Sequence, residues 1–94
     1  MFNEAQIAEA LNTVLEINSD DTPRITFFGF AGHVKALEIE VYPNGLDPND
    51  YSRFICYADN SIYEKTIYYG KNKFLKIPFR SFDEMLEDIR KVGT

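Results

Sequence analysis

The residues best able to do chemistry stand alone in this sequence. His33 is the one histidine and Cys56 the one cysteine. A nucleophilic thiol needs the two within hydrogen-bond reach and a third group to orient the base. Nothing in their spacing supplies that, and the simpler reading makes His33 a turn residue and Cys56 a small buried one. Zinc needs several thiolate or imidazole ligands, which one of each does not provide. Asn44, Asp47, Asn49 and Asp50 offer oxygen ligands, but the stretch lacks the terminal bidentate glutamate of the helix-flanked calcium loop. The same residue types are ordinary turn formers.

Carboxylates recur in two groups. Glu38 and Glu40 share one face of a strand pattern, and Asp83, Glu84, Glu87 and Asp88 crowd one helix pattern. Acid–base catalysis needs two carboxyls held apart in a pocket with shifted pKa values. A solvated strand face and a helix N-terminus account for both groups without a pocket. Gly29 and Gly32 precede no helix, so they make no phosphate-binding turn. Gly29 reads instead as a bulge or a place of close backbone approach. The sequence therefore points to no catalytic residue, no metal and no cofactor: the expected protein is not an enzyme.

Residues 65–80 carry Lys65, Lys71, Lys73, Lys76 and Arg80, with Tyr68, Tyr69, Phe74 and Phe79 among them and no acid. Basic residues interleaved with aromatics suit a single-stranded nucleic acid, on which each stacked base contributes about 1–3 kcal/mol. They equally suit an edge hairpin whose lysines discourage further strand pairing while its aromatics enter the core.

These residues must be positioned by a small scaffold. Ninety-four residues at 45% hydrophobic content suit one folded domain spanning the chain rather than disorder. A lone cysteine fits a reducing compartment. No apolar run approaches a membrane span, and the first residues lack the basic-then-apolar layout of a signal peptide. The expected location is cytoplasmic. The net charge of −5 is uneven: residues 1–50 carry nine acids against Arg24 and Lys35, whereas residues 51–94 carry six acids against eight bases. That overall acidity disfavours duplex nucleic acid, whose backbone needs a basic footprint.

The scaffold is organised around Arg24–Tyr42. Ile25, Phe27, Phe28 and Phe30 form an apolar run broken by Gly29. After Ala31-Gly32-His33, Leu37, Ile39 and Val41 alternate with Glu38, Glu40 and Tyr42. That period-2 pattern predicts a strand with one buried and one wet face. Further strands are expected at Tyr51–Ala58, Ile62–Tyr69 and Lys73–Ile77. With Phe54 and Cys56 inward, Arg53 and Tyr57 fall beside Glu38, Glu40 and Tyr42. A first helix is expected over residues 3–15, with Asn3 and Gln6 as a capping box and Ile7, Leu11 and Val14/Leu15 as its core stripe, ending before Asn18. A second is expected over Arg80–Val92, capped by Ser81 and Glu84, with Phe82, Met85, Leu86 and Ile89 inward. The expected fold is α+β: an antiparallel meander of four to five strands, both helices packed on one face.

The run Ile25-Thr26-Phe27-Phe28-Gly29-Phe30-Ala31-Gly32-His33-Val34, leading into Leu37-Glu38-Ile39-Glu40-Val41-Tyr42, resembles a stretch in small uncharacterised phage and prophage proteins of Gram-positive bacteria. In size, acidity and helix–meander–helix order the chain is also similar to small anti-CRISPR inhibitors, a likeness of fold class. The resemblance implies an accessory role and no particular activity.

Two functional expectations result. The first is a non-enzymatic acidic binding or inhibitor protein, making protein–protein contacts through Glu38, Glu40, Tyr42, Arg53 and Tyr57. Six tyrosines exceed what so small a core takes in comfortably, and tyrosine favours interfaces. The second is a nucleic-acid-binding accessory protein using Lys65, Lys71, Lys73, Lys76 and Arg80. A homodimer through the tyrosine-bearing face, with Glu38 and Glu40 meeting Arg53 or Lys65 of the other copy, competes with a foreign partner. Stacking two acidic halves disfavours it.

Overall fold

A computed structural model describes residues 3–32, 36–49, 52–59, 62–69 and 74–92. The elements run α1 (Glu4–Ser19), β1 (Ile25–Ala31), β2 (Ala36–Tyr42), β3 (Arg53–Ala58), β4 (Tyr63–Tyr68), β5 (Phe74–Pro78) and α2 (Phe82–Lys91). The five strands form one antiparallel sheet in chain order. Leu37, Ile39, Val41, Cys56 and Ala58 pack with residues of both helices in a single core. The sheet therefore has one covered face and one open face, as alternation in β2 predicts.

Both helices start at the expected caps, but only α1 closes the reciprocal capping box expected of both. Asn3 Oδ1 accepts from the Gln6 N–H at 2.9 Å while Gln6 Oε1 accepts from the Asn3 N–H at 2.9 Å. Ser81 Oγ accepts from the Glu84 N–H at 3.1 Å, and the Glu84 carboxylate reaches back to the Arg80 N–H at 3.2 Å. Phe82, Met85, Leu86 and Ile89 are buried on α2 as their spacing requires.

Helix α1 departs from expectation in extent and in facing. It continues through Ser19, and its buried residues are Ala10, Thr13, Val14 and Ile17. Leu11 and Leu15 are instead 42% and 55% exposed. Ile7 and Val14 of the expected stripe do face the core, which residues 7, 10, 14 and 17 line, and alanine at position 10 lets the helix lie close on the sheet. The extra turn has a tertiary use. Asn18 donates from Nδ2 to the Thr26 carbonyl at 2.8 Å and accepts from the Thr26 N–H on Oδ1 at 2.7 Å. One side chain thus acts as a short strand partner on the outer edge of β1, covering groups that would otherwise invite pairing.

Arg24 fastens the ends of the fold. Its guanidinium donates to the carbonyls of Arg90 at 2.7 Å and Val92 at 2.9 Å, to Thr22 Oγ1 at 2.9 Å and to Asp20 Oδ2 at 2.5 Å. The carbonyls at the end of α2 have no partner within the helix, and a buried cation there satisfies both groups and dipole. Hydrogen bonds from Thr22, then from Arg24, hold the Asp20 carboxyl down at about 2. Composition alone had marked Arg24 only as a rare base in an acidic half.

Candidate functional site

Strand register assigns the open face. Glu38 pairs with Tyr57 and Glu40 with Ile55, so Glu38, Glu40, Tyr42, Arg53 and Tyr57 lie together, as expected. Arg53 pairs with Tyr68, and Tyr68 with Phe74, extending that face to β5. On the other side, Phe27 pairs with Glu40 and Gly29 with Glu38, extending it to β1.

The side chains join in a row that crosses all five strands. Phe27 meets Tyr42 edge to face with ring centroids 5.8 Å apart. The Tyr42 hydroxyl donates to Glu40 Oε1 at 2.7 Å, and Arg53 Nε stands 3.8 Å from the same oxygen. The Arg53 guanidinium carbon lies 4.0 Å from the centroid of the Tyr68 ring, which stands 6.1 Å from that of Phe74. Its outer members remain accessible, Phe27 at 47% and Phe74 at 61% exposure. Each ring or cation–π contact contributes about 0.5–1.5 kcal/mol. Their larger consequence is that a large aromatic surface is held in place before anything binds, which lowers the ordering cost of association. Donation to Glu40 raises the Tyr42 phenol above its ordinary range, and donation to Asp59 does the same for Tyr57. Both phenols therefore stay protonated and retain their hydroxyl donors.

The described charges on this face are mixed. Glu38, Glu40 and Glu64 sit among Arg53 and Lys76. Two shallow hollows lie between β1 and the middle strands. One, of about 350 Å³, touches Phe27, Gly29, Glu38 and Glu40; the other, of about 340 Å³, touches Gly29, Phe30, Glu38 and Tyr57. A larger groove of about 730 Å³ runs along α1 beside Arg90, with Ala5, Ala8, Asn12 and Leu15 in its wall. Its carboxylates, Glu9 and Glu16, are exposed, Glu16 standing 3.8 Å from Arg90 Nε, and no aromatic ring lines it.

The basic–aromatic stretch does not stay together. Lys65 shares the covered face with Tyr63 and Ile67, is 8% exposed and donates from Nζ to Asp88 Oδ2 on α2 at 2.6 Å. Its ammonium lies 5.4 Å from the Phe54 ring centroid and 5.8 Å from that of Phe79. Lys65 is thus withdrawn from any surface, whether for nucleic acid or for pairing with Glu38 and Glu40 of another copy. Strand parity is the reason, since residues 63, 65 and 67 must share a face. Phe79 is likewise buried, whereas Lys76 lies on the open face of β5 and Arg80 is exposed before α2. Lys71 and Lys73 lie outside the described residues. Of the tyrosines in residues 62–69, only Tyr68 joins the row. Tyr63 turns to the helix side, its ring centroid 6.5 Å from that of Phe82, and Tyr69 lies past the end of β4.

Cys56 is fully buried opposite Ile39, and burial pushes its thiol up to about 12. A thiol so placed is protonated at neutral pH and supplies no thiolate nucleophile. His33 lies outside the described residues. Asp50 also lies outside them, and Asp47 Oδ1 is occupied by the Asn49 N–H at 2.9 Å, an ordinary Asx contact. Among the described residues no group of three or more His, Cys, Asp or Glu is arranged to hold a metal ion. No helix among them is long and apolar enough to cross a membrane. No family model, curated protein or solved structure matches this chain.

Proposed function

We propose that this protein is a non-enzymatic binding protein, acting in the cytosol as an inhibitor or accessory factor, that docks a protein partner on the open face of its sheet. The supporting observation is the row Phe27–Tyr42–Glu40–Arg53–Tyr68–Phe74, which presents aromatic surface on a face that neither helix covers. A rigid sheet displaying tyrosines, phenylalanines and an arginine has the composition of an interface centre, where large side chains with few rotatable bonds carry most of the energy. Glu38, Glu40, Tyr42, Arg53 and Tyr57 form its middle. The accessory role implied by the phage-like run over residues 25–34 belongs to the same proposal.

Charge weighs against nucleic acid as the occupant. With Lys65 turned inward, the described part of the open face carries three carboxylates against Arg53 and Lys76, which makes no phosphate-binding footprint.

Capture from a lysate of the native cells, with the wild type and with Tyr42→Ala/Tyr68→Ala, tests the reading. The wild type should retain a protein that the variant loses while keeping its circular dichroism. A partner held equally by both, or a single-stranded oligonucleotide bound by the wild type at low salt, overturns it.

A further inference from the structure

We infer that the hollow over Gly29 receives a cationic side chain of the partner, arginine in preference to lysine; the inference rests on the open face being the docking surface. It starts from a residue the fold does not need. Gly29 lies inside β1, where glycine weakens a strand through backbone entropy and a missing side chain. Three reasons internal to a fold justify such a glycine, and none applies. Its φ is not left-handed; among the described glycines that conformation belongs to Gly45, at φ 76. There is no bulge, because Phe27, Phe28, Gly29 and Phe30 pair residue for residue with Glu40, Ile39, Glu38 and Leu37. There is no crowding, because nothing lies within 4 Å of where a Cβ would sit. What remains is close approach by a group from outside the chain.

The surroundings select the chemistry of that group. The two hollows share Gly29 and Glu38, with Phe27 walling one and Tyr57 the other. Glu38 pairs directly across from Gly29 and is exposed, and its carboxylate makes no side-chain hydrogen bond or ion pair with another described residue. Glu40 adjoins on the same face but is already engaged by Tyr42 and Arg53. An anion would be repelled here, and an apolar group would strip water from the Glu38 carboxylate without replacing it. A cation compensates that carboxylate. A guanidinium does so with two parallel donors and lays its plane against an aromatic wall, which an ammonium does not. The missing side chain at residue 29 makes the room.

The test uses a capped glycine peptide with one central arginine, its citrulline and lysine counterparts, and two-dimensional NMR of the whole chain. Amide shifts should concentrate at Gly29, Glu38 and Tyr57. Citrulline, which keeps the shape and loses the charge, should bind about tenfold more weakly or not at all. Gly29→Val should fold with an equal or higher thermal midpoint yet lose the peptide, and Glu38→Gln should lose it likewise. Shifts spread evenly over Glu4, Glu9 and Glu16, equal binding of citrulline, or wild-type binding by Gly29→Val each overturns the inference. Equal binding of the lysine peptide overturns the preference for arginine. The two levels separate cleanly: a captured partner that needs Tyr42 and Tyr68 but not Gly29 sinks the hollow alone. Peptide binding at Gly29 with capture indifferent to those tyrosines sinks the docking reading, and the inference with it.

Discussion

Removing Asp88 should cost far more than removing Lys65, although the two form one ion pair. The Lys65 side chain is 10% exposed and that of Asp88 34%, so each is left in a different situation when its partner goes. In Asp88→Ala the ammonium remains between Phe54 and Phe79 with its 2.6 Å acceptor gone. Losing one partner of a fully buried pair costs about 3–5 kcal/mol. Partial access of water at Asp88, and relief of a negative charge near the C-terminal end of α2, reduce this to about 2 kcal/mol. In Lys65→Met the apolar stem is kept, the rings stay covered and Asp88 rehydrates, so the change should stay within about 1 kcal/mol of zero. Urea unfolding reads the difference directly. At a slope of about 1 kcal/mol per molar, the Asp88→Ala midpoint should fall by about 2 M and that of Lys65→Met by less than about 1 M. The double variant should restore most of the loss, because the stranded charge is gone. Equal losses in the two single variants, or none in Asp88→Ala, would refute the inward placement of Lys65. Weakened oligonucleotide binding in a folded Lys65→Gln protein would refute it independently.

Three other outcomes are expected. Arg24→Gln should lower stability by about 2–4 kcal/mol in urea, with Arg24→Lys rescuing little, because the ends of α1 and α2 share one fork-shaped donor. Asp20 has its folded pKa depressed from 3.8 to about 2, so its contribution is present above the ordinary value and fades as pH falls through about 2. The gap in thermal midpoint between wild type and Asp20→Asn should therefore be full above pH 4 and close on approaching pH 2. Cys56, buried with its thiol raised to about 12, should resist maleimide at pH 7 in the native protein and react fully in denaturant.

The parts of this fold written locally were legible, and the parts decided by rotation or register were not. Ser81 and Glu84 start α2, four apolar residues repeat on one face, and nothing else fits that pattern. The alternation through Leu37, Ile39 and Val41 likewise leaves β2 one orientation. On α1, by contrast, Ile7 is shared by two apolar stripes, one continuing through Leu11 and Leu15 and the other through Ala10, Val14 and Ile17. Only packing on the sheet chooses between them, and it leaves the two leucines outward. Lys65 was legible in principle, since Tyr63 and Ile67 at two-residue spacing share its parity, but a lysine is rarely buried unless paired, and its partner Asp88 lies 23 residues away. The association of Glu38, Glu40 and Tyr42 with Arg53 and Tyr57 followed from strand order and opposite charge. The extension to Phe27, Tyr68 and Phe74 rests on the register of β1 on β2, β3 on β4 and β4 on β5; the meander order was legible, but the residue-for-residue pairing that places these rings was not. Gly29 carried a signal that sequence alone could raise but not resolve, because bulge, crowding and outside approach look alike until the register is known.

Site-directed photocrosslinking tests the central claim most directly. Benzoylphenylalanine placed at Thr66, which pairs with Ile55 and Lys76 at the centre of the open face, should join a foreign protein in a lysate of the native cells. The same group at Asn12, on the outer side of α1, should join none. Crosslinks from Asn12 with none from Thr66, or products from Thr66 with only the mass of two copies of this chain, would contradict the account.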